Sequence, residues 1–144
     1  MQKRSWILGA GGTGTALGDA GLLVLRLGAG FLLLWLHGLG KFPPGEGFVG
    51  YVGSLGLPAP ILVAWAAALA ETLGAVLIAV GLLARPAALY VVLHFLGVVF
   101  IAHAGDPMSD RELGALFALI ALLVATTGAG RFSVDAILGR RKGG

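Results

Sequence analysis

One ionisable side chain near the centre of a long apolar run limits the possible folds more than any other feature. Residues 61–84 read ILVAWAAALAETLGAVLIAVGLLA, and Glu71 is the only charged residue among them. As a helix rising about 1.5 Å per residue, the run is about 36 Å long, enough to cross a hydrocarbon core of about 30 Å. Glu71 then falls near the bilayer midplane, where a carboxylate costs about 2.5 to 3.5 kcal/mol or more. It must be protonated, paired or turned to a polar cavity, so the rest of the chain has to be searched for a partner.

The surrounding composition agrees with a membrane setting. Of 144 residues, 58% are hydrophobic and only 12% charged, with a mean hydropathy of +0.95. Those values exclude an ordinary soluble domain and a disordered chain, and they make the lipid bilayer the first partner. The 25 glycines suit helices that approach closely in lipid. The net charge of +3 is what cytoplasmic membrane-flanking segments produce, and nucleic acid is not expected as a partner. With no cysteine, the chain has no thiolate metal site, cysteine-held iron–sulfur cluster or thiol–disulfide exchange of its own. No metal ligand set is read from the sequence, and redox work would need a bound cofactor or substrate.

The expected fold is all-α, a four-transmembrane-helix bundle with spans at about 20–40, 60–84, 86–103 and 110–127. Short interfacial helices are expected after the first span and at the C-terminus. Residues 1–19 read as a flexible cytoplasmic tail, since Trp6-Ile7-Leu8 is too short for a signal-peptide core. Between the first two spans, Phe48, Tyr51, Val52 and Leu55 recur at helical spacing, and Pro60 fits the first turn of the Glu71 helix. That helix is expected to end at Arg85-Pro86, so that its successor is an antiparallel neighbour. Ser109 and Glu112 match a capping box before the last span. Residues 129–144 form a basic cytoplasmic tail, with Phe132, Ile137 and Leu138 dipping inward. Lys3, Arg4, Arg85, Arg131, Arg140, Arg141 and Lys142 oppose only Lys41 and Arg111 across the membrane, which places both termini in the cytoplasm.

Depth along each run then groups the ionisable residues. Glu71 and His94 both lie within about one residue, or 1.5 Å, of the centres of neighbouring runs, so they are each other's leading partners and the candidate catalytic pair. Arg26 lies about 6 to 8 Å to the cytoplasmic side, and either snorkels or turns to Glu71. His37 and His103 lie about 9 to 12 Å toward the other surface, with Lys41 just beyond. Arg26, Gly30 and His37 share one helix face, which Lys41 extends. Each residue also has a plainer reading: Arg26 and Lys41 as headgroup anchors, His103 as a helix-end residue, and the cluster as a device that fixes helix register.

Several motifs in order carry a family resemblance. The arginine-bearing first span followed by LHGLGKF, the FVGYVGSLGLP loop, Ala70-Glu71 with Gly74, the GLLARPAAL turn and the final GAGRFSVDAILGRR resemble the DoxX family of small four-helix bacterial membrane proteins. The resemblance implies a bacterial cytoplasmic (inner) membrane location and an association with redox systems. Some members are subunits of thiosulfate:quinone oxidoreductase, and others join membrane complexes that handle oxidative and thiol stress. It also matches Arg26, Lys41 and Glu71 to positions where members carry polar residues.

These strands lead to a redox-associated subunit that binds a quinone or similar apolar carrier. Glu71 and His94 are its candidate catalytic groups, and Arg26, His37 and Lys41 its candidate cofactor-binding groups. If enzymatic, it is an oxidoreductase subunit of the thiosulfate:quinone type, with a soluble redox protein or a second copy of itself as partner. The alternatives are a small-solute or proton transporter, in which Arg26, Glu71, His94 and His37 form a ladder across the membrane, and a scaffold for soluble redox partners.

Overall fold

A computed structural model describes residues 11–141. Among the described residues all regular structure is helical: α1 (Ala16–Gly38), α2 (Glu46–Ser54), α3 (Pro60–Val80), α4 (Ala84–Ala102), α5 (Met108–Thr127) and α6 (Val134–Arg141). Helices α1, α3 and α4 are long and apolar enough to cross a membrane. Helix α5 has 20 residues, but Asp110, Arg111 and Glu112 near its start shorten its apolar stretch.

The packing places small residues inside and large ones outside. Ala64, Ala68, Ala70, Ala75, Ala84 and Ala88 are all fully buried, whereas Leu17, Val24, Trp35, Leu62, Leu93 and Phe100 are exposed. In water such a surface would drive aggregation; against lipid tails it costs nothing, while small interior residues let helix backbones approach. Gly30 and Gly38 bring α1 onto α3. A Cβ on Gly30 would lie 2.8 Å from the Ala75 carbonyl, and one on Gly38 would lie 2.3 Å from that of Glu71. Helices α4 and α5 meet through Phe95 and Phe117, stacked with ring centroids 5.3 Å apart.

Helix α3 ends earlier than the sequence reading has it. Gly81, at φ +71°, donates to Ile78 O at 3.2 Å, and Leu82 donates to Leu77 O at 3.0 Å, the paired bonds of a Schellman cap. Arg85 and Pro86 therefore fall in the first turn of α4, where proline's missing N–H has no helical partner to lose. The capping box also fails to form. Helix α5 starts at Met108 after Pro107, which puts Ser109 inside the first turn, where its hydroxyl donates to Asp110 at 3.1 Å.

One end of the bundle is tied by side chains. Asp19 accepts from Thr13 N at 2.8 Å and pairs with Arg131 Nε at 3.3 Å, while Gly12 N donates to Thr127 O at 2.8 Å. The start of α1 and the end of α5 thus meet at the same end. The expected flexible tail over 1–19 is corrected in part: residues 11–15 are fixed to Asp19 and Thr127, α1 starts at Ala16, and residues 1–10 lie outside the described residues. In α6 the buried side carries Asp135 and Ala136, with Ser133 just before it, while Phe132 and Ile137 are exposed on the protein surface.

Candidate functional site

Three helices carry a π turn: Leu34–Gly38 in α1, Ala70–Gly74 in α3 and Val98–Ala102 in α4. A π turn inserts one residue into the helical repeat, so every later side chain rotates relative to a regular helix. In α1 this makes Gly38, eight residues after Gly30, continue the buried face that a regular helix would give to His37. His37 is turned aside and meets the edge of Phe117 on α5, with ring centroids 6.0 Å apart. In α3 the π turn contains Glu71 itself. The wider turn is supported by side chains: Thr72 Oγ1 donates to Ala68 O at 2.7 Å and the Tyr90 hydroxyl donates to Ala66 O.

Glu71 is 2% exposed and holds two partners. Lys41 Nζ reaches both carboxylate oxygens, at 2.8 Å to Oε1 and 2.6 Å to Oε2. His94 Nε2 lies 2.8 Å from Oε1. The pairing of Glu71 with His94 follows the depth argument; the bond to Lys41 does not. That argument puts Lys41 near the surface because it treats α1 as regular and counts only backbone height. The close approach at Gly38 brings the chain down onto the Glu71 backbone, and Lys41 follows one turn later. Gly38, the first glycine of LHGLGK, is the sequence signal for that contact, since a Cβ there would meet Glu71 and Thr72.

Arg26 joins none of this. It is fully buried, and its Nη1 donates to Ile78 O at 3.1 Å and Ala79 O at 2.9 Å, while Nη2 donates to Phe132 O at 2.8 Å. Two of those carbonyls belong to the last turn of α3: Ile78 O takes the Arg26 bond beside that from Gly81 N, and Ala79 O lies where the helical donors run out. Ile78 is seven residues beyond Glu71, about 10 Å along the axis. Arg26 therefore neither snorkels nor turns to Glu71, and ties the end of α3 to the segment before α6. Asp135 does the converse for α4, accepting from Leu83 N at 2.9 Å and Ala84 N at 3.0 Å at its N-terminus. Leu83 sits at φ 47°, a left-handed conformation that a bulky residue rarely adopts, and the Asp135 bond holds it there.

Beside the cluster lies a cavity of about 520 Å³ between α2, α3 and α4. Lys41 and His94 line it, together with Phe48, Tyr51, Tyr90 and His103. The rest of its wall is aliphatic, from Val52, Val63, Leu93 and Val98 among others. Lys41 also stands 5.6 Å from the Phe48 ring centroid, which fixes the lysine between carboxylate and aromatic face. The sequence reading passed over Tyr90 and placed Tyr51 only on the interfacial helix, not at the site. Tyr90 lies four residues before His94 and so shares its helix face.

The fold and site together define a small multi-helix membrane protein whose interior carries a Lys–Glu–His cluster at the edge of an apolar cavity. The chain belongs to the DoxX family, whose sequence profile matches residues 21–104. It is 31% identical over 118 residues to "Putative oxidoreductase CatD" of Bacillus subtilis (strain 168), covering 81% of this chain and 86% of that protein. It is 33% identical over 123 residues to "Inner membrane protein YphA" of Escherichia coli (strain K12), covering 79% and 87% respectively. No solved structure matches the chain.

Proposed function

We propose that the protein is an inner-membrane, redox-associated subunit that binds a quinone or a similar apolar carrier in the cavity beside Glu71. The observation that carries this reading is that Lys41 and His94, both bonded to the Glu71 carboxylate, line one cavity of about 520 Å³ with largely apolar walls. Small-molecule sites commonly occupy about 300 to 1,000 Å³ and combine apolar walls with a few polar groups. A quinone asks for that combination: a flat apolar ring, with hydrogen-bond donors at its carbonyl oxygens.

The cluster supplies the donors. Lys41 Nζ has three hydrogens and gives two to Glu71, so its third is left for a ligand oxygen. With His94 Nε2 committed to Glu71, Nδ1 is the ring nitrogen left to donate or accept. Glu71 behind them holds both groups in place and offsets their charge when His94 takes a proton. The chain has no cysteine, so electrons would come from a partner such as a soluble redox protein rather than from a thiol of its own. The name of the Bacillus subtilis relative supports the redox assignment, and that of the Escherichia coli relative supports the membrane.

Four traversals with both termini cytoplasmic fit this picture. Helix α5 begins beside Ala104, to which Arg111 donates, and ends beside Gly12 and Asp19 at the start of α1. Helices α2 and α6 then lie along opposite membrane surfaces.

Thermal unfolding in lipid nanodiscs tests the ligand. A menaquinone or ubiquinone analogue should raise the midpoint, and Glu71→Gln or His94→Ala should abolish the rise. If no quinone shifts the wild-type midpoint, the proposal is wrong.

A further inference from the structure

The far end of the same cavity carries a second imidazole backed by a carboxylate. His103 lines the cavity at the end of α4, and its Nδ1 lies 2.7 Å from Asp106 Oδ2. The turn is fixed by its backbone, since Asp106 N donates to His103 O at 3.1 Å. An Nδ1–H given to the carboxylate leaves Nε2 as the nitrogen that takes up and releases a proton. His103 is nine residues beyond His94 on α4, about 13 Å along the axis, so the two imidazoles stand at opposite ends of the cavity. The side chains of His103 and Asp106 are 35% and 46% exposed, against 11% for His94. Of the two imidazoles, His103 is therefore the one nearer the surface.

We infer that His103, oriented by Asp106, is the group through which a quinone held at Lys41 and His94 exchanges protons with the aqueous surface. This deepens the quinone reading and rests on it. Reduction of a quinone to its quinol adds two electrons and two protons, forming one O–H bond at each carbonyl oxygen. The electrons come from an external reductant; the protons must cross a cavity whose walls are mainly aliphatic. His103 Nε2 takes a proton from surface water and releases it inward, while Asp106 holds the ring through Nδ1. About 30 Å³ suffices for each water, so the cavity has room for a ring and a bridging file of waters between the two histidines. The other charged groups nearby are Arg111 of α5, which donates to Ala104 O, and Lys41, engaged with Glu71. A histidine that merely ends a helix would have no bearing on proton delivery.

Voltammetry of the full chain in nanodiscs on an electrode, loaded with menadione, separates these roles, because the electrode supplies the electrons. With menadione saturating, His103→Ala should slow proton-coupled reduction by about 10²-fold, the lower range for a general acid–base group. Added imidazole should restore much of the rate. His103→Gln should be equally slow without responding to imidazole to the same extent, and Asp106→Asn should be slowed less than either. Wild-type rates in His103→Ala with menadione bound would overturn the proton route and leave the quinone site standing. Failure of the wild-type chain to bind menadione would remove both.

Discussion

At the residue scale, the two largest fully buried side chains, Arg26 and Glu71, have separate work. Arg26 donates from its two terminal nitrogens to three backbone carbonyls on two segments, a task that suits a planar fork with several donors. A lysine ammonium cannot bridge them all, so Arg26→Lys should cost about 1 to 3 kcal/mol of stability, the penalty for carbonyls left unmet. Glu71 is instead satisfied by two side chains that also face the cavity. Lys41→Ala leaves its carboxylate with His94 alone and should cost about 3 kcal/mol, the lower end for a broken buried pair, because Lys41 is partly exposed. Reversible unfolding in mixed micelles measures both changes. The distinguishing outcome is in binding: Arg26→Lys should keep the quinone affinity of the wild type, whereas Lys41→Ala should lose it. Equal losses of affinity would mean that Arg26 serves the site after all.

At the scale of elements, what was legible in the sequence was whatever depends on apolar length and on residues near each other in the chain. The apolar runs mark the long helices, Pro60 does start α3, and the spacing of Phe48, Tyr51, Val52 and Leu55 does lie on a helix. Depth matching is enough to bring Glu71 and His94 together. What it misses follows from assuming regular helices. A π turn shifts the face by one residue, so His37 leaves the stripe it shares with Arg26 in a regular helix and Gly38 replaces it. No local composition rule marks such a turn. The end of α3 at Gly81 was marked, by a glycine followed closely by Arg85-Pro86, but the continuing apolar residues conceal it. Gly38 tests the tight approach directly: the added methyl of Gly38→Ala would press on the Glu71 backbone carbonyl and force α1 away from α3. Overpacking of this kind costs about 1 to 3 kcal/mol, and here it should also lengthen the Lys41–Glu71 contact and weaken quinone binding. Gly28→Ala, on the same helix with open space around it, should leave both unchanged.

At the scale of the whole molecule, the clasp formed by Asp19, Arg26, Asp135 and Arg131 closes one end of the bundle and the cavity opens toward the other. That polarity gives topology a direct readout, since the chain has no cysteine and single cysteines can be added one at a time. In intact cells, a membrane-impermeant maleimide should label Gly45→Cys and Gly105→Cys but not Gly139→Cys until the membrane is opened. Labelling of Gly139→Cys in intact cells would mean that α5 does not cross. The central claim, that the cavity beside the Lys41–Glu71–His94 cluster holds the quinone, is tested most directly by a photoreactive naphthoquinone and mass mapping of its adducts. Adducts should fall on the cavity faces of α2 and α4, around Tyr51, Leu93 and Val98, and should disappear in His94→Ala and with excess unlabelled quinone. Adducts confined to the outer faces of α1 and α5, or a cavity pattern unchanged in His94→Ala, would contradict it.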